Sequence, residues 1–163
     1  YGPLGHGFTT GAKDCILVGG GTGLAPLFFL KEAIEREGGK ALLLAGAKDR
    51  TCLMESDVLE VGCIVATEDG SMGELGLVTG PLKRLIAERR FDMVYACGPV
   101  PMLKAVKQVC AKAGLSLEVS LETRMGCGVG ACNGCTCDEA EKDGAWLKVC
   151  KDGPVFRAEE VLR

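Results

Sequence analysis

Histidine is almost missing from this chain. His6 is the single one, in a glycine-rich N-terminal stretch where a solvated loop residue is expected, and no Ser/His/Asp set can be assembled around it. No carboxylate pair has a spacing suited to acid–base work. Lys/Arg clusters are also lacking and the net charge is −3, so nothing electrostatic draws the chain to nucleic acid or anionic lipid. Long apolar runs are absent. The longest uncharged stretch, Cys15–Leu30, has 16 residues and is glycine-rich in its middle. It falls short of the roughly 18–20 apolar residues of a membrane span. A basic start followed by an apolar run and a cleavage site is not seen, so the expected location is cytoplasmic. Without acid–base side chains, the chemistry left open is the kind a bound cofactor performs. The chain opens on Tyr1, which is read as a processed, truncated or internally numbered sequence.

Apolar residues and cysteine are plentiful instead. Of 163 residues, 47% are apolar and ten are cysteine, enough for a true core in one domain or one domain with a small appendage. Cys15, Cys97 and Cys110 lie inside apolar segments, where cysteine acts as a small hydrophobe. A tight group near the C-terminus fits a metal site better than a secreted disulfide scaffold.

Five strand-sized apolar runs recur: Asp14–Val18, Ala41–Ala45, Gly62–Ala66, Asp92–Ala96 and Ser116–Leu121. Most are apolar at both parities, as in strands buried on both faces of a parallel sheet. Helices are expected between them at Pro26–Glu37, Pro81–Arg90 and Pro101–Ala113, the last capped by Gly114, with a weaker candidate at Leu53–Leu59. Strands alternating with helices predict an open parallel α/β sheet of about five strands over residues 1–121. Residues 122–163 read as a small β-rich unit, with Trp146–Val149 and Pro154–Arg157 as strands around a turn at Asp152-Gly153. That unit is too small to fold on packing alone, and a metal centre would supply the missing stabilisation.

The cysteines of that tail run Cys127-x4-Cys132-x2-Cys135, then Cys150 after 14 residues. This is the spacing of a plant-type [2Fe–2S] site. Four thiolates converge on two irons from one loop whose N–H groups face the sulfurs, and Gly126, Gly128, Gly130 and Gly134 permit the wrapping. Structural zinc is the alternative, although only one short hook is present. Cys137 offers a fifth thiol beside Cys135, and only the spacing favours Cys135.

Gly19-Gly20-Gly21-Thr22-Gly23 follows the first strand and opens the first helix, where free N–H groups and the helix dipole can hold phosphate. The G-x-G-x-x-G fingerprint is not met, because Leu24 stands at its last glycine. A tight turn that binds nothing is the plain alternative. Ala96-Cys97-Gly98-Pro99 ends the fourth strand on the same sheet edge, where open α/β folds bind ligands, and the two together favour a nucleotide crevice. Asp69-Gly70-Ser71 reads as a surface turn.

Together GPLGHGF (2–8), VGGGTGLAP (18–26), ACGPVPML (96–103), MGCGVGACNGCTC (125–137) and VCKDGPVF (149–156) resemble one family. It is the electron-transfer subunit of NAD-dependent, class 1B dihydroorotate dehydrogenase, in the ferredoxin-reductase superfamily. The resemblance implies an NAD(H)-binding α/β domain, with Gly20, Gly21, Thr22 and Gly23 near the pyrophosphate and Cys97, Gly98 and Pro99 near the nicotinamide. It maps cluster ligands to Cys127, Cys132, Cys135 and Cys150. It implies electrons passing from an FMN-containing catalytic partner subunit through the cluster to FAD and then to NAD+, as dihydroorotate becomes orotate in pyrimidine biosynthesis. Family members carry a flavin-binding barrel of roughly 100 residues ahead of this region. Residues 1–12 therefore read as the linker from that barrel, and this piece alone is expected to bind FAD poorly.

Two rivals stay open. Small subunits of NAD(P)H:ferredoxin transhydrogenases and sulfhydrogenases share the layout, but the transhydrogenases typically place aspartate where this chain has Cys127. A zinc-stabilised nucleotide-binding module without redox activity is the rival from another class. NAD against NADP is undecided, since Lys48 and Arg50 suit a 2′-phosphate and Asp49 a ribose hydroxyl.

Overall fold

A computed structural model of the chain describes residues 2–53, 58, 61–140 and 142–163. All five expected strands form: β1 (Asp14–Gly20), β2 (Lys40–Ala47), β3 (Ile64–Thr67), β5 (Met93–Cys97) and β6 (Leu117–Ser120). Two short edge strands, β4 (Glu74–Leu75) and β9 (Val155–Arg157), extend them to a seven-stranded sheet of order β4-β3-β2-β1-β5-β6-β9. All pairings are parallel except β6 with β9. The helices are α1 (Ala25–Arg36), α2 (Thr79–Glu88), α3 (Val100–Ala113) and the short α4 (Ala158–Val161). Gly114 ends α3 in the left-handed conformation at φ 67°, which a glycine adopts at little cost. The helix expected over Leu53–Leu59 lies largely outside the described residues.

Burial on both faces explains the continuous apolar runs. Ile16 and Val18 of β1 join the core against α2 and α3, while Cys15 and Leu17 join the opposite core against α1. Strand order reverses at β1, with β2 on one side and β5 on the other. This puts the crevice of a doubly wound sheet beyond the carboxyl ends of β1 and β5.

The pairing expected within the tail is corrected. Trp146–Lys148 forms β8, but its partner is β7 (Thr136–Asp138), not the segment after Asp152-Gly153. The 148–152 turn is closed by Asp152 N–H to the Lys148 carbonyl and by Lys148 N–H to Asp152 Oδ2, both at 2.7 Å. The chain then returns to the main sheet, where Phe156 lies opposite Val119 and is buried in the same core as Leu103, Cys135 and Cys150. Burial of Phe156 and Leu162 favours that route over a free hairpin. His6 also pairs with this return, its N–H donating to the Gly153 carbonyl at 2.6 Å.

Candidate functional site

The two glycine turns expected to form a crevice meet. β1 runs into a 3-10 turn, Gly21–Leu24, and then into α1, with no side-chain cap on either. No side chain competes for the N–H groups of this turn, although the Ala25 N–H is taken by the Thr22 carbonyl. A Cβ on Gly23 would lie 2.4 Å from the Cys97 carbonyl oxygen, and one on Gly20 would lie 2.6 Å from Met102 Sδ. The missing side chains are what let the first turn settle on the end of β5.

A cavity of about 380 Å³ opens on one side of this contact, lined by Gly20, Gly46, Lys48, Glu68, Leu77 and Met102 among others. A second, of about 330 Å³, opens on the other, lined by Gly20, Gly21, Thr22, Gly98, Pro99 and Glu122. The two share the Gly20, Gly21 and Pro99 edge. Five of the seven expected nucleotide residues therefore face a cavity. Gly23 and Cys97 do not. They form the packed floor, and Cys97 is buried with Sγ 4.0 Å from Glu122 Oε1. Burial first, then the Glu122 charge, pushes the Cys97 thiol up to about 11, so it remains a neutral thiol near neutral pH.

Sequence reasoning missed Glu68, Leu77, Met102 and Glu122. Glu68 and Glu122 carry a usable signal, since each follows the carboxyl end of a parallel strand. Of the three charged residues after β2, Lys48 lines the larger cavity. The Asp49 carboxylate turns back onto Thr51, accepting its N–H at 2.8 Å, and the Thr51 hydrogen bonds hold its carboxyl below the usual carboxylate range. The Arg50 N–H donates to Ser71 Oγ at 2.9 Å, and Ser71 donates to Asp69. The Asp69-Gly70-Ser71 segment is thus the expected surface turn, clipped to the loop after β2.

The expected cluster cysteines fall into two pairs. Cys127 Sγ accepts the N–H groups of Ala131 at 3.2 Å and Cys132 at 3.3 Å. Those of Cys132 and Val129 chiefly hold its thiol down at about 6. Cys135 Sγ accepts the Cys150 N–H at 3.4 Å, which lowers the Cys135 thiol, while the Cys135 side chain pushes Cys150 up. Cys127 and Cys132 are exposed; Cys135 and Cys150 are buried. Among the described residues no three His, Cys, Asp or Glu side chains gather around a single ion. Two thiol pairs facing backbone N–H donors suit a centre of two irons, each taking two thiolates. Cys137 stands apart. It lies opposite Leu147 in the β7–β8 pair, packs against the main core, and burial raises its thiol.

Residues 17–108 match the oxidoreductase NAD-binding domain family. The chain belongs to that family. Residues 122–162 match the iron–sulfur cluster binding domain of dihydroorotate dehydrogenase B. The chain is 44% identical over 163 residues to a dihydroorotate dehydrogenase B (NAD(+)) electron transfer subunit from Caldanaerobacter subterraneus, covering 99% of this chain and 64% of the relative. It is also 44% identical to the subunit of that name from Bacillus velezensis, covering 98% of this chain and 63% of the relative. The resemblance drawn from the motifs is thereby borne out, and the chain spans about two thirds of the length of these relatives. A solved structure described as an NADH-dependent reduced ferredoxin-NADP oxidoreductase superposes with a TM-score of 0.84 at 33% identity, over 99% of this chain and 58% of that one. The C-terminal domain of a Pyrococcus furiosus hydrogenase shares the fold at a TM-score of 0.56 and 21% identity, over 73% of this chain and 100% of that domain. Among the described residues, no helix is long and apolar enough to cross a membrane.

Proposed function

We propose that this chain is the nucleotide- and cluster-carrying part of an electron-transfer subunit. It passes electrons from an FMN-containing, dihydroorotate-oxidising partner subunit in the cytoplasm to NAD+. The observation that carries this reading is the match of residues 122–162 to the dihydroorotate dehydrogenase B cluster domain, on the same chain as an NAD-binding domain. When bound, a [2Fe–2S] cluster supplies one-electron transfer, NAD supplies hydride transfer, and FAD converts between them. The chain's residues bind and orient. Gly20, Gly21, Thr22 and Gly23 shape the pyrophosphate turn, and Gly98 and Pro99 wall the nicotinamide side. Cys97 keeps its proton beneath that wall. Cys127, Cys132, Cys135 and Cys150 hold the cluster, and the exposed pair Cys127 and Cys132 faces outward for the partner. We take 1–121 and 122–163 as the two functional units.

Mixing the full-length protein with a dihydroorotate-oxidising flavoprotein and supplying dihydroorotate and NAD+ tests the reading, with NADH formation expected. The second reading is a ferredoxin-linked NAD(P)H oxidoreductase subunit, which the 0.84 superposition favours. No NADH from dihydroorotate, with turnover on reduced ferredoxin, would replace the first reading by the second. A colourless protein with one zinc per chain would sink both.

A further inference from the structure

Beside the four expected ligands stands a cation that the reading above leaves idle. Lys148 ends β8, two residues before Cys150, and is half-buried. Its Nζ donates to the Gly130 carbonyl at 2.7 Å. Its backbone is fixed on both sides by Asp152, through the turn that carries Cys150. Gly130 lies in the loop between Cys127 and Cys132 at φ 80°. A Cβ there would meet Lys151 Cδ at 3.1 Å and Lys148 Cδ at 3.5 Å, so two lysine stems lie over this peptide. Gly130 thus presents its carbonyl to Lys148 from inside the loop that joins Cys127 to Cys132.

We propose that Lys148 is a positioning residue for the cluster loop, whose ammonium, strapped to the Gly130 carbonyl, raises the reduction potential of the centre. The proposal rests on the cluster reading given above. Reduction adds a negative charge to the centre, and a fixed cation in a site partly removed from water stabilises that charge more than a mobile surface lysine does. Hydrogen bonds to the sulfurs and net charge nearby are the levers by which a protein sets such a potential. The strap acts through the charge, because it holds the ammonium in place against the loop that carries Cys127 and Cys132.

The test compares K148M, K148R and K148Q in the full-length holoprotein, with K83M on α2 as a surface control. Iron content and visible spectrum come first. A wild type lacking about two irons per chain overturns the cluster reading itself, separately from this proposal. With the cluster present, a dye-mediated redox titration followed by electron paramagnetic resonance reads the potential. K148M, which keeps the apolar stem, is expected to shift the reduced-to-oxidised ratio several-fold toward oxidised at fixed ambient potential and to lose iron faster to a chelator. A tenfold shift is about 59 mV for one electron. K148R restores both readouts and K83M changes neither. Should K148M fail to hold iron, K148Q keeps a donor for Gly130 without the charge and is expected to retain the cluster at a lowered potential. A wild-type potential in K148M or K148Q overturns the proposal, whatever happens to thermal stability.

Discussion

Gly23→Ala tests the joint between the two glycine turns. A Cβ at Gly23 would sit 2.4 Å from the Cys97 carbonyl oxygen, 2.6 Å from its carbon and 2.8 Å from the Gly98 nitrogen. Ordinary contact begins about 1 Å further out. The obstacle is backbone, and Cys97 is paired with Gly19 of β1 and Ser120 of β6, so β5 cannot recede. The first turn must lift instead. Overpacking of this kind costs about 1–3 kcal/mol. For a chain of this size each kcal/mol lowers Tm by roughly 2–4 °C, so a loss of about 2–12 °C is expected. Binding that needs the wild-type spacing of Gly20 and Pro99 has to restore the strained contact, and the same 1–3 kcal/mol becomes about a 5- to 150-fold rise in Kd. The assay is calorimetric unfolding together with NADH titration of the full-length protein. Gly80→Ala is the control, because Gly80 lies in α2 with nothing within 4 Å of its Cβ position. It should hold or raise Tm, since alanine favours a helix by up to about 1 kcal/mol over glycine. A Gly23→Ala protein with wild-type Tm and Kd would refute the claim that this glycine sets the joint.

Cys135→Ser is expected to lose the iron and Cys137→Ser to keep it, read by iron per chain and visible absorption; the opposite result moves one ligand by two residues. In the native holoprotein, Cys52 is exposed and lines the larger cavity, so alkylation followed by mass spectrometry should label it first and NADH should slow the labelling. Cys97 and Cys110 should resist at pH 8, since burial pushes their thiols up to about 11 and about 12, and prompt labelling of either would contradict that burial. Glu118→Ala removes the acceptor for Thr9 N–H at 3.0 Å and Thr9 Oγ1–H at 2.9 Å, which should cost about 1–3 kcal/mol in denaturant unfolding, and an unchanged midpoint would count against this anchor.

The central strands were legible because a strand buried on two faces must be apolar at both parities, and Cys15 to Val18 meets that demand whatever its neighbours do. β4 was not legible. It is two residues long, its Leu75 is exposed, and it exists only because β3 offers an edge. The route of Pro154–Arg157 was equally hidden, since alternation in three residues sets which side faces inward but not which strand is the partner. Phe156 opposite Val119 decides that, and the contact spans 37 residues of chain. The expected nucleotide residues were readable where a steric demand leaves glycine as the residue. The far wall was not, because Leu77 and Met102 are ordinary apolar residues that the loop before α2 and the first turn of α3 carry into place.

Cys135 and Cys137 mark where spacing stops being informative. Two residues apart on an extended chain, they project to the same side, so no periodicity separates them. Pairing does. Cys137 is inside the β7–β8 ladder, where its position is fixed by Leu147 across from it. Cys135 is just outside the ladder, its carbonyl taking the Val149 N–H at 3.0 Å and its sulfur taking the Cys150 N–H. A thiol at the end of a ladder can turn toward the loop that closes it, whereas one inside is held by its cross-strand neighbour. The same reasoning ties the two expected sites together. Leu121 and Glu122 wall the smaller cavity, and Cys127 follows five residues later. Five residues of extended chain reach at most about 18 Å. A centre held by Cys127 would therefore stay near the smaller cavity by covalent connection, because the chain that leaves the end of β6 walls that cavity before it reaches Cys127.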